Sequence, residues 1–218
     1  MTAVADASAA RAIAAQVLDA RLIAILRRLR SPEVEPIVAT LLAAGVRVVE
    51  ITFETAGGAE TLRALREAFG GAAILGAGSL LEARQAEDAV DAGAQFLVSP
   101  GLVEDVSQVA RAHDRLYIPG VLTATEVGVA LRWGHAIQKL FPAGLLGPEY
   151  LRALQAPYPE VRFLAVGNIG PDDVATYLRA GAAGVAMGSQ LVGHGVALDV
   201  LAARAREAMA QVRAVASA

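Results

Sequence analysis

The sequence predicts an α/β protein of the eight-stranded parallel (β/α)8 class, a TIM barrel with an extra N-terminal helix. Two observations carry that expectation. Eight short apolar runs alternate with longer amphipathic stretches at a spacing of roughly two dozen residues, as in a small barrel with few insertions. At the joins, Ala44-Gly45-Val46, Ala92-Gly93-Ala94, Trp133-Gly134-His135 and Ala180-Gly181-Ala182 each set Gly just past a helical stretch, where a left-handed cap favours it. A doubly wound open sheet also alternates, but it follows its first strand with a Gly-rich phosphate loop. Here Leu26 leads into Arg27-Arg28-Leu29-Arg30 instead. At 218 residues the chain reads as one domain, 1–218, with a helix in 1–20, the barrel in 22–192 and a C-terminal helix in 196–216.

In chain order, an Ala-rich helix runs from about Ala7 to Leu18 and the first buried strand is Leu22–Leu26. Ser31-Pro32-Glu33 offers a helix cap with Pro in the first turn, and Val46–Ile51 is the second strand. Ala73–Gly76 follows, then Ser79-Leu80-Leu81-Glu82, which reads as a capping box. Gln95–Val98 and Leu116–Ile118 are the fourth and fifth strands, and Thr123-Ala124-Thr125-Glu126 is a second capping box. Ala136–Leu140, Val161–Val166 and Gly184–Met187 complete the eight. Gly147-Pro148-Glu149 and Gly170-Pro171-Asp172 start helices between them.

Composition narrows the function. The 19 basic and 22 acidic residues leave a net charge of −3, which excludes a general nucleic-acid coat and a polybasic membrane binder. Hydrophobic residues reach 55% with only 5% aromatic, so Ala, Val, Leu and Ile must fill the core, and intrinsic disorder is excluded. The longest uncharged run, Ala180 to Leu198, is broken by five glycines and does not read as a membrane span. Asp6 stands ahead of Arg11, unlike a secretory leader. With no Cys there is no thiol chemistry and no thiolate metal site, and His113, His135 and His194 fit no zinc spacing. The expectation from composition is a cytoplasmic protein with no thiolate or zinc site, acting without nucleic acid or membrane.

One count points to chemistry. The chain holds 18 Arg and a single Lys, Lys139, inside Ala136-Ile137-Gln138-Lys139-Leu140-Phe141. Where only positive charge is needed this chain uses Arg, and Arg cannot form an imine. Lys139 therefore reads either as a Schiff-base nucleophile whose pKa is lowered by apolar surroundings, or as a lysine whose stem lies along the barrel with its ammonium at the rim. Catalytic groups of such barrels gather at the C-terminal strand ends. There Glu50 closes the apolar strand Val46–Glu50 and reads as a general acid/base beside the lysine, or else as its ion-pair partner. Arg27 at the mouth reads as a carboxylate clamp. Ser79 has its cap to explain it, although the same turn can offer a hydroxyl to an anion. Gly167-Asn168 and Gly188-Ser189 end the last two strands, where small barrels hold phosphate on backbone N–H groups.

Five segments in order carry a family resemblance. They are Ala44–Thr52 (AGVRVVEIT), Gly76-Ala77-Gly78-Ser79, Gln95–Gly101 (QFLVSPG), Lys139-Leu140-Phe141-Pro142-Ala143 and Ala165-Val166-Gly167. From about Leu22 to Val192 the chain resembles the 2-keto-3-deoxy-6-phosphogluconate/4-hydroxy-2-oxoglutarate (KDPG/KHG) aldolases, homotrimeric class I lyases that need no cofactor. The resemblance implies Lys139 as Schiff-base lysine and Glu50 as proton shuttle. It implies Ser79 on the pyruvate carboxylate, Pro100 and Phe141 lining the pyruvate pocket, and Gly167, Asn168, Gly188 and Ser189 at the phosphate. Two positions depart from the pattern. Glu54 stands where the phosphogluconate branch has Arg, and Ile23–Arg27 resembles the phosphogalactonate branch, which moves the clamp to Arg27. Asn168 replaces a Gly of the first phosphate turn. The implied activity is cleavage of a 2-keto-3-deoxy-6-phospho-sugar acid, or of 4-hydroxy-2-oxoglutarate, to pyruvate and an aldehyde. The readings that stand against it are a phosphate-binding barrel isomerase or synthase using Lys139 only as a cation, and a non-catalytic ligand-binding barrel.

Overall fold

The computed structural model describes residues 8–29, 33–54 and 56–216. Helix α1 (Ala9–Ala20) leads into β1 (Leu22–Leu26), and parallel strands then alternate with helices. The strands are β2 (Val48–Thr52), β3 (Ile74–Gly78), β4 (Phe96–Val98), β5 (Leu116–Ile118), β6 (Gly120–Val121), β7 (Ile137–Leu140), β8 (Arg162–Val166) and β9 (Gly184–Met187). Between them lie α2 (Val34–Ala43), α3 (Gly58–Phe69), α4 (Ala83–Asp91), α5 (Glu104–Ala112), α6 (Ala124–Arg132), α7 (Ala143–Gln155) and α8 (Val174–Arg179), and α9 (Leu198–Ala216) is the last described element. Every strand pairing is parallel, in the order β5-β4-β3-β2-β1-β9-β8-β7-β6, a nearly closed barrel-like sheet.

The strand count corrects the expectation of eight. Among the described residues there are nine strands, because a short strand that the reading did not include, β6, follows the fifth run beyond Pro119: β5 pairs with β4, while β6 pairs with β7. Proline has no N–H to give a ladder. Its carbonyl still accepts from the Lys139 N–H at 2.9 Å, so the chain passes from one neighbour to the other across this residue.

Alternation along the strands splits the core in two. Ile23, Ile25, Val48, Phe96, Val98, Leu116, Ile118, Ile137, Leu164, Val166 and Ala186 form the inner cluster, and Val17 of α1 joins it from below. The intervening residues, among them Leu22, Ala24, Leu26 and Val49, pack outward against the helices. Gly76 leaves the space that the Phe96 ring fills, since a Cβ there would come within 2.5 Å of it. The predicted cap glycines Gly45, Gly93, Gly134 and Gly181 all have positive φ.

One helix start differs from the reading. Ser79 caps nothing: α4 begins at Ala83 with Glu82 as its extended N-cap, and Ser79 has φ +60°. Leu80 is fully buried and donates its N–H to Val98 O, which carries the chain past the end of β4 before the helix can start. Gly147 (φ 79°, ψ 170°) is non-helical and divides α7 in two, so a helical stretch starts at Gly147-Pro148 as the sequence reads. The Thr123–Glu126 box is present in full, and Gly170 N–H is held by the Asp173 carboxylate. Ser31 and Pro32 lie outside the described residues.

Candidate active site

The inner register sets what converges at the C-terminal mouth. Two residues beyond an inward apolar residue, each strand or strand end presents its next inward position: Arg27 after Ile25, Glu50 after Val48, Gly78 after Gly76, Pro100 after Val98. On the far side they are Lys139 after Ile137, Asn168 after Val166 and Gly188 after Ala186. The same alternation makes the strand apolar below and reactive above.

Lys139 is 5% exposed and pairs with Gly120 of β6 and Leu164 of β8. Its Nζ stands 5.2 Å from the centroid of the Phe141 ring. Burial pushes the Lys139 ammonium below the ordinary lysine range; the Glu50 carboxylate opposes that shift and Arg27 adds to it. Glu50, 2% exposed, sits between Ile25 and Gly76. Burial raises its pKa, with the charges of Lys139 and Arg27 pulling the other way. The two groups thus sense each other, yet among the described residues the ion pairs involve other side chains. An amine driven toward neutrality and a carboxyl driven toward protonation share one dry mouth, the pairing that nucleophilic and acid–base chemistry requires.

Glu50 fits only because Gly78 has no side chain: a Cβ there would lie 1.8 Å from Glu50 Oε1. Sequence reasoning assigned Gly78 no role. Its signal was two glycines in a five-residue strand, which mark a close approach. At the end of β2, Thr52 is buried and donates to Leu26 O at 3.4 Å, tying the ends of β1 and β2 together.

Arg27 and Arg28 both bind Glu54, through Nη1–Oε2 and Nε–Oε1 contacts of 3.0 Å each. The clamp candidate is therefore already engaged by a protein carboxylate. Ser79 lies half-buried in a left-handed turn after Gly78. Pro100 is exposed, and its carbonyl would lie 2.1 Å from a Cβ on Gly120, which places it over the β5–β6 break.

The candidate phosphate turns are also close-fitted. Gly167 (φ 96°) and Asn168 (φ 54°) are both left-handed. The N–H of Gly144, in the first turn of α7, donates to Gly167 O at 2.8 Å. A Cβ on Gly167 would sit 2.9 Å from the Phe141 ring, so this glycine lets Phe141 lie flat beside Lys139. Asn tolerates this left-handed conformation better than most other non-Gly residues. Its Oδ1 accepts from Gln190 Nε2 at 3.4 Å, linking the turn after β8 to the turn after β9. Gly188 O accepts two N–H groups, from Leu191 and Val192, and Ser189 is exposed beside it. Among the described residues no group of His, Asp and Glu is placed to hold a metal ion, and no helix is long and apolar enough to cross a membrane.

Comparison with known proteins places this geometry. The family model described as "KDPG and KHG aldolase" matches residues 13–203. The 2-dehydro-3-deoxy-6-phosphogalactonate aldolase of Escherichia coli (strain K12) is 34% identical, over 84% of this chain and 90% of that protein. The 2-dehydro-3-deoxy-phosphogluconate aldolase of Treponema pallidum (strain Nichols) is 38% identical over 72% and 75%. A KDPG aldolase from Legionella pneumophila, solved with pyruvate captured as a covalent carbinolamine, superposes with a TM-score of 0.77 at 28% identity, covering 91% of this chain and 96% of that one.

Proposed function

The chain belongs to the KDPG and KHG aldolase family, and on that premise we propose that Lys139 and Glu50 are the amine and the acid–base of its carbon–carbon bond cleavage. The enzyme is an aldolase, a carbon–carbon lyase that yields pyruvate and an aldehyde. One observation carries the assignment of roles: the only lysine of the chain is buried on an inward strand position at the mouth and senses the carboxylate of Glu50.

The neutral amine of Lys139 attacks C2 of a 2-keto acid and forms a carbinolamine, which loses water to give an iminium. The cation accepts the electrons of the C3–C4 bond as Glu50 takes the proton of the C4 hydroxyl. The aldehyde leaves, the enamine takes a proton at C3, and water releases pyruvate and the free amine. Arg27 and Ser79 hold the keto-acid carboxylate, and Pro100 and Phe141 wall the pyruvate half. A distal phosphate rests on Gly167, Asn168, Gly188 and Ser189, a reading supported by the two successive left-handed residues that turn the chain at the end of β8.

The substrate class is a 2-keto-3-deoxy-6-phospho-sugar acid of the gluconate or galactonate type, giving glyceraldehyde 3-phosphate, or 4-hydroxy-2-oxoglutarate, giving glyoxylate. Counted as one stave broken at Pro119, β5 and β6 make the sheet an eight-stave barrel, one domain spanning the chain. The family resemblance and the absence of cysteine support a homotrimer in the cytoplasm.

Borohydride with pyruvate should trap a covalent adduct on the wild-type enzyme and none on Lys139→Ala. Pyruvate release from phosphogluconate-, phosphogalactonate- and hydroxyoxoglutarate-type substrates, assayed side by side, then ranks the aldehydes. Failure to trap pyruvate, with no cleavage of any of the three, would remove the Schiff-base reading.

A further inference from the structure

Glu54 carries the strongest unassigned feature of the mouth. Its side chain is the best covered of its trio, 21% exposed against 49% for Arg27 and 64% for Arg28. One carboxylate therefore lies under two guanidinium groups, with one oxygen given to each. Arg27 is long and half exposed, and without a partner it would populate many rotamers. The bond to Glu54 draws on Nη1 and leaves the other N–H groups of its fork for a second carboxylate. The guanidinium so held is near enough for its charge to act on both Glu50 and Lys139.

We propose that Glu54 is a positioning residue that fixes Arg27 in the orientation in which it receives the carboxylate of the keto acid. The proposal rests on the aldolase reading, because it takes Arg27 as the clamp of that substrate. It also accounts for an acidic residue beside a site proposed for anions. Glu54 does not face the substrate carboxylate directly; it spends its charge on two arginines and leaves a directed donor between itself and the ligand.

The test is borohydride trapping with two probes, pyruvate and methyl pyruvate, which has the same ketone and no free carboxylate. In Glu54→Gln the half-saturating pyruvate concentration should rise about tenfold, the scale of one charge-assisted hydrogen bond, with the rate at saturation little changed. Methyl pyruvate should change less than about twofold, because a carboxylate clamp does not act on it. In an Arg27→Gln background the same Glu54→Gln change should add nothing further. Glu54→Asp, which keeps the charge but is too short to bridge both arginines, should fall between wild type and Glu54→Gln. It gives the same readings if Glu54→Gln folds poorly. Equal losses on the two probes, or additive effects with Arg27→Gln, would overturn the proposal while leaving the aldolase reading intact. A wild type that traps neither probe would remove both.

Discussion

Glu50 and Lys139 each give up hydration at the inner face of a strand, and their shifts in pKa are opposite in sense for the same reason: burial favours whichever form is neutral. The lysine gains reactivity directly, since only the free amine attacks. Adduct formation with pyruvate should therefore rise with pH through a midpoint below the ordinary lysine value of 10.5. Glu50 holds that midpoint up, because its ionised form stabilises the ammonium. Glu50→Gln removes that charge, so the trapping profile should move to lower pH while turnover of the full substrate falls by about 10²–10⁴, the usual worth of a general acid–base. Trapping as a function of pH reads the first effect and pyruvate release the second. A variant that loses trapping and cleavage in equal measure would show that Glu50 serves structure alone.

At the scale of elements, the turn after β8 places a non-Gly residue in the left-handed region. Asn168 at φ 54° stays in a conformation that Gly adopts without cost and that Asn tolerates far better than Ala. Asn168→Ala should cost about 1 kcal/mol in urea unfolding, while Asn168→Gly should stay within roughly 0.5 kcal/mol of wild type. If the two variants were equally stable, the positive φ would not be what selects Asn here. The strands were legible because residues buried on both faces form short apolar runs: Leu22–Leu26 and Gly184–Met187 agree end to end with β1 and β9. Lys139 and Glu50 stood out in the sequence because polar residues inside such runs are costly and need a reason, and both are buried. Ser79 was misread because a cap motif is local, and the burial of Leu80 against β4 is not. The fifth run, Leu116–Ile118, also agrees with β5, but β6 beyond Pro119 was missed because two residues, Gly120 and Val121, make no run to read. Gly78 left only the signal of a second glycine in its strand, and the Glu54 bridge could not be found by spacing at all. Both depend on side chains that approach across neighbouring strand ends.

Over the whole molecule, the two ends of the barrel divide the labour. The reactive mouth tolerates strained turns and buried charge, and the opposite end is closed by α1, whose start is fixed by the Asp114 carboxylate accepting from Ser8 Oγ and Ala9 N–H. Close to that end, His135 sits edge-on to the Tyr117 ring at 4.9 Å, and Nε2 shares a 2.7 Å hydrogen bond with Ser107 Oγ. Burial, reinforced by Arg111, lowers its pKa to about 4 from an ordinary 6.5. Between those two values the unfolded chain binds a proton at this ring that the folded chain refuses. Stability from His135 is thus complete above about pH 6.5 and is lost as the pH falls toward 4. The ring is partly exposed, so solvent screening reduces the effect to roughly 1–2 kcal/mol. Asp114 and Glu126, whose pKa values are lowered, lose their contributions only below their ordinary 3.8 and 4.5, and Glu50, raised by burial, acts in the opposite sense. All three are common to wild type and a His135 variant and cancel between them. Urea unfolding at pH 7 and pH 4.5 should therefore show a smaller loss of stability for His135→Gln than for wild type, by about 1–2 kcal/mol. Equal losses would place the acid sensitivity of the barrel elsewhere than beneath α1.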